Sequence, residues 1–282
     1  MEVAERIRAA SAALTGAERR VAEVILSTPH AVGFGTVAEL ARTAGVGAAT
    51  VVRLSTKLGF EGFTQLQLCV QRDLMKQLRP AAERIREAGE DAVADHVAIE
   101  VANVSATLKA VDEVMLSQLV DRLADLERPV ALLSGDDSAG VVLQFETQLR
   151  QIRAGVSTLY GSQVAVYREL ALLHPRTTLI VVDLRRYEQW VLDAHACARR
   201  RGIWTAAISD DALSPLAAAA DVSFDVTAGS VSPFDSHVGT LALLNLFVAN
   251  VAARVREPAA ERLAAIEAAW NDSGSLVARD GP

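Results

Sequence analysis

The chain has 282 residues, of which 51% are apolar and 22% are charged. This length fits two domains, one small and one medium, and the apolar fraction is sufficient for buried cores, which argues against a disordered chain. The first residues lack the basic start and the continuous apolar stretch of a signal peptide. We therefore expect a soluble cytoplasmic protein with no membrane partner.

The two cysteines, Cys69 and Cys197, are far apart in the sequence. Neither has Cys or His neighbours at the spacing of metal ligands, so the pattern supports neither a disulfide framework nor a zinc site. We expect reduced, packed thiols, no metal and no cofactor.

The net charge of −7 is unevenly distributed. Residues 1–79 contain ten Lys and Arg against seven Asp and Glu, a charge of +3, and the rest of the chain therefore carries −10. A basic N-terminal part on an acidic remainder is typical of a DNA-binding head, although a charge of +3 is weak evidence by itself. The helix pattern of residues 1–79 is more specific evidence for DNA binding.

Capping boxes mark two helix starts in residues 1–79. Thr15 and Glu18 open a helix that should run to about Thr28, before Pro29, while Thr36 and Glu39 open a short helix. The short helix should end at a turn, Gly45-Val46-Gly47, and a further helix should begin near Ala48. That helix places Val51, Leu54 and Leu58 on its inner face. A short helix, a glycine turn and a second helix give the order of a helix-turn-helix.

The second helix of this motif has to enter the major groove of DNA, so small residues at its start allow close approach to base edges. Arg53 is suited to a guanine edge or a phosphate. Lys57, Arg42 and Thr36, which stands at a helix start, are better placed for phosphates. The alternative is that these residues form the solvated face of a small helical bundle. The predicted DNA-binding residues are Thr36, Arg42, Ala48, Ala49, Thr50, Arg53 and Lys57.

The same segment resembles a known family. Val37-Ala38-Glu39-Leu40-Ala41, Ala49-Thr50-Val51-Val52-Arg53 and Lys57-Leu58-Gly59-Phe60-Glu61-Gly62-Phe63 are similar to the N-terminal domain of the RpiR family of regulators, and the stretch from Thr50 to Phe63 is the most distinctive. The resemblance implies a linker and then a SIS (sugar isomerase) domain, which commonly senses phosphosugars.

The rest of the chain should form that second domain. Residues 80–127 read as a helical linker and the start of the domain, with Pro80 as the break, and 128–282 read as the SIS-like effector-sensing domain. Five β-favouring runs alternate with helices, and their unbroken apolar character predicts a doubly wound α/β fold with a parallel five-stranded sheet. The predicted strands are Val130 to Ser134, Val156 to Tyr160, Thr177 to Asp183, Trp204 to Ser209 and Val222 to Val226. A last long helix from about Pro233 through Arg254 could serve the core or a dimer interface.

Ligands of such sheets bind at the carboxyl ends of the strands, where helix N-termini present free N–H groups. The first strand end, from Ser134 to Ser138, resembles the first loop of SIS domains, and its two serines are potential donors to an anion. Asp136 and Asp137 fit less well because they repel an anion. One of these two carboxylates could instead accept from sugar hydroxyls, or both could simply cap the next helix.

The second strand end, from Asp183 to Glu188, departs from the family. SIS domains that bind phosphosugars usually carry a Ser-x-Ser-Gly-x-Thr loop here, and Asp183 and Arg185 stand where its serines would be. Arginine suits a carboxylate or phosphate, but a structural ion pair between Arg185 and Asp183 or Glu188 is the alternative. The predicted effector-binding residues are Ser134, Asp136, Ser138, Asp183, Arg185, Arg186, Ser209 and Ser232.

These features predict a DNA-binding transcriptional regulator whose SIS-like domain senses a small anionic metabolite, such as a phosphosugar or sugar acid. The expected partners are a double-stranded DNA operator, the effector and a second copy of the chain, in a homodimer or homotetramer. An isomerase is less well supported because Glu146 and Glu188 are conceivable bases that nothing in the spacing singles out. The segment Ser134 to Gly140 also lacks the GxGxxG fingerprint of nicotinamide enzymes. A DNA-binding protein whose second domain only dimerises is the other alternative.

Overall fold

The structure is a computed structural model, and it describes residues 2–10, 13–27, 32–33, 35–77, 85, 93–211 and 214–276. The chain divides into two compact units, Met1–Arg86 and Glu87–Pro282, which we call the head and the body. The predicted helix end at Thr28 and Pro29 and the predicted break at Pro80 lie outside the described residues.

The described part of the head is helical. Its helices are α1 Glu2–Ala10, α2 Gly16–Ser27, α3 Val37–Thr43, α4 Ala48–Lys57 and α5 Phe63–Gln77. The capping box at Thr36 is complete, because its hydroxyl accepts from the Glu39 N–H while the Glu39 carboxylate accepts from the Thr36 N–H. The box at Thr15 forms in the same way with Glu18. Both predicted helix starts are therefore confirmed.

The turn between α3 and α4 depends on Gly45, whose φ of +63° lies in the left-handed region that favours glycine. Beyond it, Val51, Leu54 and Leu58 are buried in the core of the head, as the periodicity predicts. A second left-handed glycine, Gly59, ends α4. The guanidinium of Arg6 fixes this end of the helix, since it lies 4.5 Å from the ring centre of Phe60 and donates to the carbonyls of Leu58 and Gly59.

The body begins, within the described residues, with α6 Val93–Lys109 and α7 Glu113–Ala124 and continues as an alternation of strands and helices. The strands are β1 Val130–Ser134, β2 Val156–Thr158, β3 Thr178–Val182, β4 Trp204–Ser209 and β5 Val222–Asp225. The helices are α8 Ala139–Ile152, α9 Gln163–Leu172, α10 Gln189–Arg200, α11 Pro215–Ala219, α12 Val238–Arg254 and α13 Arg256–Ser273, with a 3-10 turn at Asp136–Ser138 before α8.

All pairings within the sheet are parallel, in the order β2-β1-β3-β4-β5. Alternate residues of the strands point to opposite faces. One face, with Leu132 and Ile180, packs against α7, α8 and α12, and the other, with Leu133 and Val181, packs against α9, α10 and α11. This double covering explains the unbroken apolar strands, and the predicted doubly wound five-stranded sheet is confirmed.

One helix boundary needs correction. The last long helix starts at Val238 rather than near Pro233, because Ser232 and Ser236 hold the preceding segment in turns. Most of residues 80–92, predicted as the start of a linker, lie outside the described residues. The helices that follow pack into the body: buried Asn103 of α6 exchanges two hydrogen bonds with the backbone of Gly229.

Among the described residues, no single helix is long and apolar enough to cross a membrane, and one bent pair, Val238–Arg254 with Arg256–Ser273, meets the length and composition criteria jointly.

Arg153, just after α8, is the largest fully buried side chain of the described residues, with 1% of it exposed. Its guanidinium donates to the carbonyl of Leu123, near the end of α7, and to the carbonyls of Asp125 and Arg128, in the connection from α7 to β1. Burial lowers the pKa of Arg153, and the charge of Asp125 opposes that shift. The Asp125 carbonyl also accepts from the Arg128 N–H, but Arg153 is the donor that the described residues supply to the carbonyls of Leu123 and Arg128.

We predict that Arg153→Met lowers the free energy of unfolding of the body by about 2–4 kcal/mol, because it leaves the carbonyls of Leu123 and Arg128 without donors. The three tryptophans, Trp190, Trp204 and Trp270, all lie in the body. Tryptophan fluorescence during urea unfolding of the whole chain therefore reports on the body alone. The control is Arg168→Ala, which removes a 67% exposed partner of Glu169 and should change stability by less than about 0.5 kcal/mol. Equal effects of the two substitutions would refute the role of Arg153.

Candidate functional site

The head presents the predicted DNA-binding residues mainly on its surface. Thr36, Arg42, Ala48, Ala49 and Arg53 are exposed, and Thr50 is partly buried. Arg53 donates to the Thr50 hydroxyl at 3.3 Å, so its guanidinium lies along the first turns of α4. Residue 47, at the N-terminus of α4, is a glycine and adds no side chain there. The start of the helix is thus small and exposed, as entry into a DNA groove requires.

Lys57, at the end of the same helix, already has partners within the head. Its ammonium lies 2.8 Å from the Glu18 carboxylate and donates to the Ala13 carbonyl at 2.6 Å. The hydrogen bond from Lys57 and the backbone N–H of Thr15 lower the pKa of Glu18 to about 2. A DNA phosphate at Lys57 would have to share or replace these contacts, a constraint that sequence reasoning did not predict.

The body brings the ends of β1 and β3 into close contact at Gly135. A Cβ atom on Gly135 would lie 2.6 Å from Asp183 Oδ1 and 2.8 Å from Glu188 Oε1, so any other residue would collide with the loop after β3. The Asp136 N–H donates to the Glu188 carboxylate, and the Glu188 N–H donates to Asp183 Oδ2 at 2.9 Å. The first loop is therefore bonded directly to the second.

Asp183 is 5% exposed in this arrangement. Burial, and the nearby negative charges of Glu188 and Asp137, raise its pKa to about 7. Hydrogen bonds from the backbone of Glu188 and Leu184 oppose the shift without cancelling it. The loop contact thus joins two carboxyl groups, one of which changes its protonation near neutral pH.

Next to this contact is a pocket of about 480 Å³ at the ends of β1 and β2. Its polar groups include Glu146, which accepts from the Thr158 hydroxyl at 2.7 Å, and Arg150, whose guanidinium lies 3.6 Å from Glu146. Tyr160, Trp190 and Leu143 supply apolar surface. The lining residues are Ser134, Gly135, Asp136, Ala139, Leu143, Glu146, Arg150, Thr158, Leu159, Tyr160, Gly161 and Trp190. Carboxylates, a hydroxyl, a guanidinium and aromatic rings are the groups that bind polyhydroxylated ligands.

The structure places the predicted effector residues in three groups. Ser134 and Asp136 line the pocket, while Ser138 is buried and is not part of the lining. Asp183 lies under the loop contact, and Arg186 adopts a left-handed φ of +67°. The third group is on the other side of that loop.

In this third group, Arg185 Nε lies 3.1 Å from an Asp210 oxygen and 3.5 Å from an Asp235 oxygen, which are ion-pair distances. The geometry of these contacts is not that of a hydrogen bond from Nε–H. The sequence suggested Asp183 or Glu188 as the ion-pair partner of Arg185, and the structure instead pairs it with Asp210 and Asp235. Ser209 is fully buried and bonded to Tyr187 and Ser214. Ser232 turns back on its own segment, accepting from the Phe234 N–H.

Sequence reasoning did not identify Arg150, Thr158, Tyr160 and Trp190 as pocket residues, and it considered Glu146 only as a conceivable base. Arg150 and Glu146 are one turn apart on α8, so their shared side was visible in the spacing. What the spacing could not show is that this side faces the end of β2. Within the described residues, no group of three or more His, Cys, Asp or Glu side chains could hold a metal ion.

Two family models match the chain. The model described as the helix-turn-helix domain of the rpiR family matches residues 1–77, and the model of the SIS domain matches residues 134–250. The chain carries the helix-turn-helix domain of the RpiR family together with a SIS domain. The resemblance stated from the sequence is thereby confirmed, and the protein is a DNA-binding transcriptional regulator with a helix-turn-helix head and a SIS body.

Individual relatives agree with this assignment. The HTH-type transcriptional regulator HexR of Pseudomonas aeruginosa is 24% identical over 258 residues, 89% of each chain. The sugar isomerase domain of an RpiR transcription factor from Sphaerobacter thermophilus is 27% identical with a TM-score of 0.56, covering 62% of this chain and 97% of that one. NanR of Vibrio vulnificus, solved in complex with ManNAc-6P, is 19% identical with a TM-score of 0.58, covering 96% and 98%.

The raised pKa of Asp183 predicts that the stability of this protein depends on pH. The folded pKa is about 7, against about 3.9 for an unfolded aspartate. Between these values the folded state binds more protons than the unfolded state, so the free energy of unfolding falls as the pH rises through this window. Asp183→Asn removes the titration and retains an oxygen that can accept from the Glu188 N–H.

We therefore expect Asp183→Asn to gain stability relative to the natural chain as the pH rises from about 5 to about 8, by an amount on the order of 1–4 kcal/mol. Urea unfolding followed by tryptophan fluorescence at both pH values measures the difference. If the stability difference between the two proteins is the same at both pH values, Asp183 does not titrate in this window.

Proposed function

We propose that this protein binds an operator through α4 and that a small sugar-derived anion in the pocket at the ends of β1 and β2 controls that binding. The observation that carries the proposal is the pairing of two features in one chain. The head exposes a small helix start with Arg53 behind it, and the body holds a pocket lined by Glu146, Thr158 and Arg150. In this proposal the body binds its ligand without converting it, and the protein acts in the cytoplasm.

The pocket supports a ligand that carries both hydroxyl groups and an anionic group. Glu146 and Asp136 are acceptors for hydroxyls, and the aromatic rings of Tyr160 and Trp190 can cover an apolar sugar face. Arg150 is the cationic residue in the lining, and 63% of its side chain is exposed. A phosphate or carboxylate of the ligand would pair with this guanidinium. NanR, whose bound ligand is a sugar phosphate, has the same fold, so sugar phosphates are the first probes to test.

The proposed mechanism requires a homo-oligomer. Two heads related by a two-fold axis would place two recognition helices about 34 Å apart and read a pseudo-palindromic operator. The effector would then favour one arrangement of the heads over another, and its differential affinity for these arrangements sets the size of the response. We propose a dimer as the smallest assembly that satisfies this geometry.

The DNA-binding part is tested with an operator selected from random duplexes. We predict that Arg53→Ala weakens binding to the operator by about 1–3 kcal/mol and weakens binding to a scrambled duplex less, because Arg53 reads a base. Lys57→Ala should weaken both to a similar degree and reduce the salt dependence by about one charge, because Lys57 contacts a phosphate. Fluorescence anisotropy at two salt concentrations gives both values. Unchanged affinity in both variants would refute the assignment of α4 as the recognition helix.

The effector part is tested by a thermal-shift screen against phosphosugars, sugar acids and small carboxylates. A ligand of the folded state raises the unfolding temperature by mass action. We predict a hit that Arg150→Ala abolishes and that Arg168→Ala, an exposed arginine on α9, leaves intact. Arg185→Ala should have a smaller effect than Arg150→Ala, because Arg185 does not line the pocket and is held by Asp210 and Asp235. No hit across the panel would favour a body that only dimerises, and recovery of a converted ligand would favour an isomerase.

A further inference from the structure

The outer face of α4 carries an exposed apolar side chain near the middle of the helix. Val52 is 43% exposed, although Val51 and Leu54 beside it are buried in the core of the head. Among the described residues of the head, Val52 belongs neither to that core nor to the partly buried side chains packed against it. Valine also favours a helix less than alanine does, so the stability of α4 gives no reason for valine at this exposed position.

Thr56 adds a second apolar group on the same side of α4. It follows Val52 by four residues, and residues with this spacing are neighbours on a helix surface. The Thr56 side chain is exposed, and its hydroxyl donates to the carbonyl of Val52 at 3.2 Å. Because this hydroxyl hydrogen is already used within the helix, what Thr56 adds beside Val52 is mainly its methyl group.

The neighbouring line of residues on α4 is cationic. Ala49 and Arg53, which are also four residues apart, lie next to the line of Val52 and Thr56. Arg53 donates to the hydroxyl of Thr50 at 3.3 Å, which holds its guanidinium along the first turns of the helix. The sequence of α4 contains no Asp or Glu. The outer face is therefore apolar along one line and positively charged along the next, and it fits a polyanion that also offers apolar groups.

The major groove of DNA combines these two properties at thymine. The phosphates supply the negative charge, and thymine is the base that presents a methyl group, at C5, to a helix in this groove. Guanine presents two acceptors that match the guanidinium of an arginine. Because Val52 and Arg53 are adjacent in α4, one insertion of the helix would bring both side chains to nearby base pairs.

We propose that Val52, together with Thr56, contacts thymine methyl groups and thereby selects thymine near the guanine that Arg53 reads. The inference rests on the proposed operator binding by α4 and adds one of the bases that the operator has to contain. Val52 is then a specificity-determining residue, and its contact depends on a methyl group rather than on a hydrogen bond.

The test uses the whole chain and an operator selected from random duplexes, in which the thymines are replaced one at a time by deoxyuridine. Uracil lacks the methyl group of thymine and retains all its hydrogen-bonding groups. We expect at least one position at which the replacement weakens binding by about three- to tenfold, the effect of losing one buried methyl contact. Fluorescence anisotropy with labelled duplexes measures these affinities.

Val52→Ala connects that effect to this side chain. The variant should bind the thymine operator about three- to tenfold more weakly than the natural chain, and it should bind the matching uracil operator about as well as the natural chain does. Replacing thymine by uracil at that position should then change the affinity of the variant by less than about twofold, because the two changes remove the same contact. Alanine favours a helix more than valine does, so a loss of α4 would not explain weaker binding.

Leu68→Ala is the matched control. It also removes an exposed apolar side chain of the head, one that is 59% exposed and lies on α5 instead of α4. This variant should show the same loss on replacement of thymine by uracil as the natural chain. Far-UV circular dichroism establishes that both variants are folded.

The proposal is overturned if uracil replaces every thymine without loss of affinity, or if Val52→Ala retains the full loss. Weaker binding of Val52→Ala to both operators by the same factor would overturn it as well, because Val52 would then contact something other than the methyl group. All three outcomes leave operator binding itself intact. Failure to select any operator would instead refute the proposed function, and this inference with it.

Discussion

The close approach of the loop after β3 to Gly135 is the constraint on which the candidate site depends. A side chain at this position would occupy the space of the Asp183 and Glu188 carboxylates. Glycine allows the loops after β1 and its central neighbour β3 to meet, and the hydrogen bond from Asp136 to Glu188 then fixes their relative position. The pocket wall, the burial of Asp183 and the position of Trp190 all follow from this contact.

The ends of the strands are acidic, which is unusual for a site expected to receive an anion. Besides Asp183, burial raises the pKa of Asp210 and Asp225. The guanidinium of Arg185 is shared between Asp210 and Asp235 and is therefore largely neutralised by the protein itself. This distribution of charge leaves the rim of the pocket at Arg150 as the favourable place for a ligand anion, and it agrees with the loss of the usual serines from the loop after β3.

Local sequence signals predicted the fold well. The capping boxes at Thr15 and Thr36 form as expected, and β1 and β4 have the predicted bounds, because these features depend on neighbouring residues. The start of α12 was predicted near Pro233, whereas the serine turns delay the helix to Val238. The capping boxes and the start of α12 both depend on hydrogen bonds between residues that are close in the sequence.

The candidate site was predicted less completely, because its contacts join distant parts of the chain. The order of helices and strands indicated that Ser134 and Asp136 would lie at a strand end. No spacing rule could pair Lys57 with Glu18, Arg185 with Asp210, or the Arg153 guanidinium with the carbonyls before β1. These partners follow from the packing of the complete domain, so only the three-dimensional structure could identify Arg150 as the cation of the pocket.

The central claim is that ligand binding in the body and operator binding by the head are coupled. The most direct measurement is the affinity for a labelled operator by fluorescence anisotropy, with and without the ligand at saturation. We predict that the ligand changes operator affinity by about 5- to 150-fold, and that the operator changes the affinity for the ligand by the same factor. Operator affinity that is identical with and without a ligand shown to occupy the pocket would contradict the account.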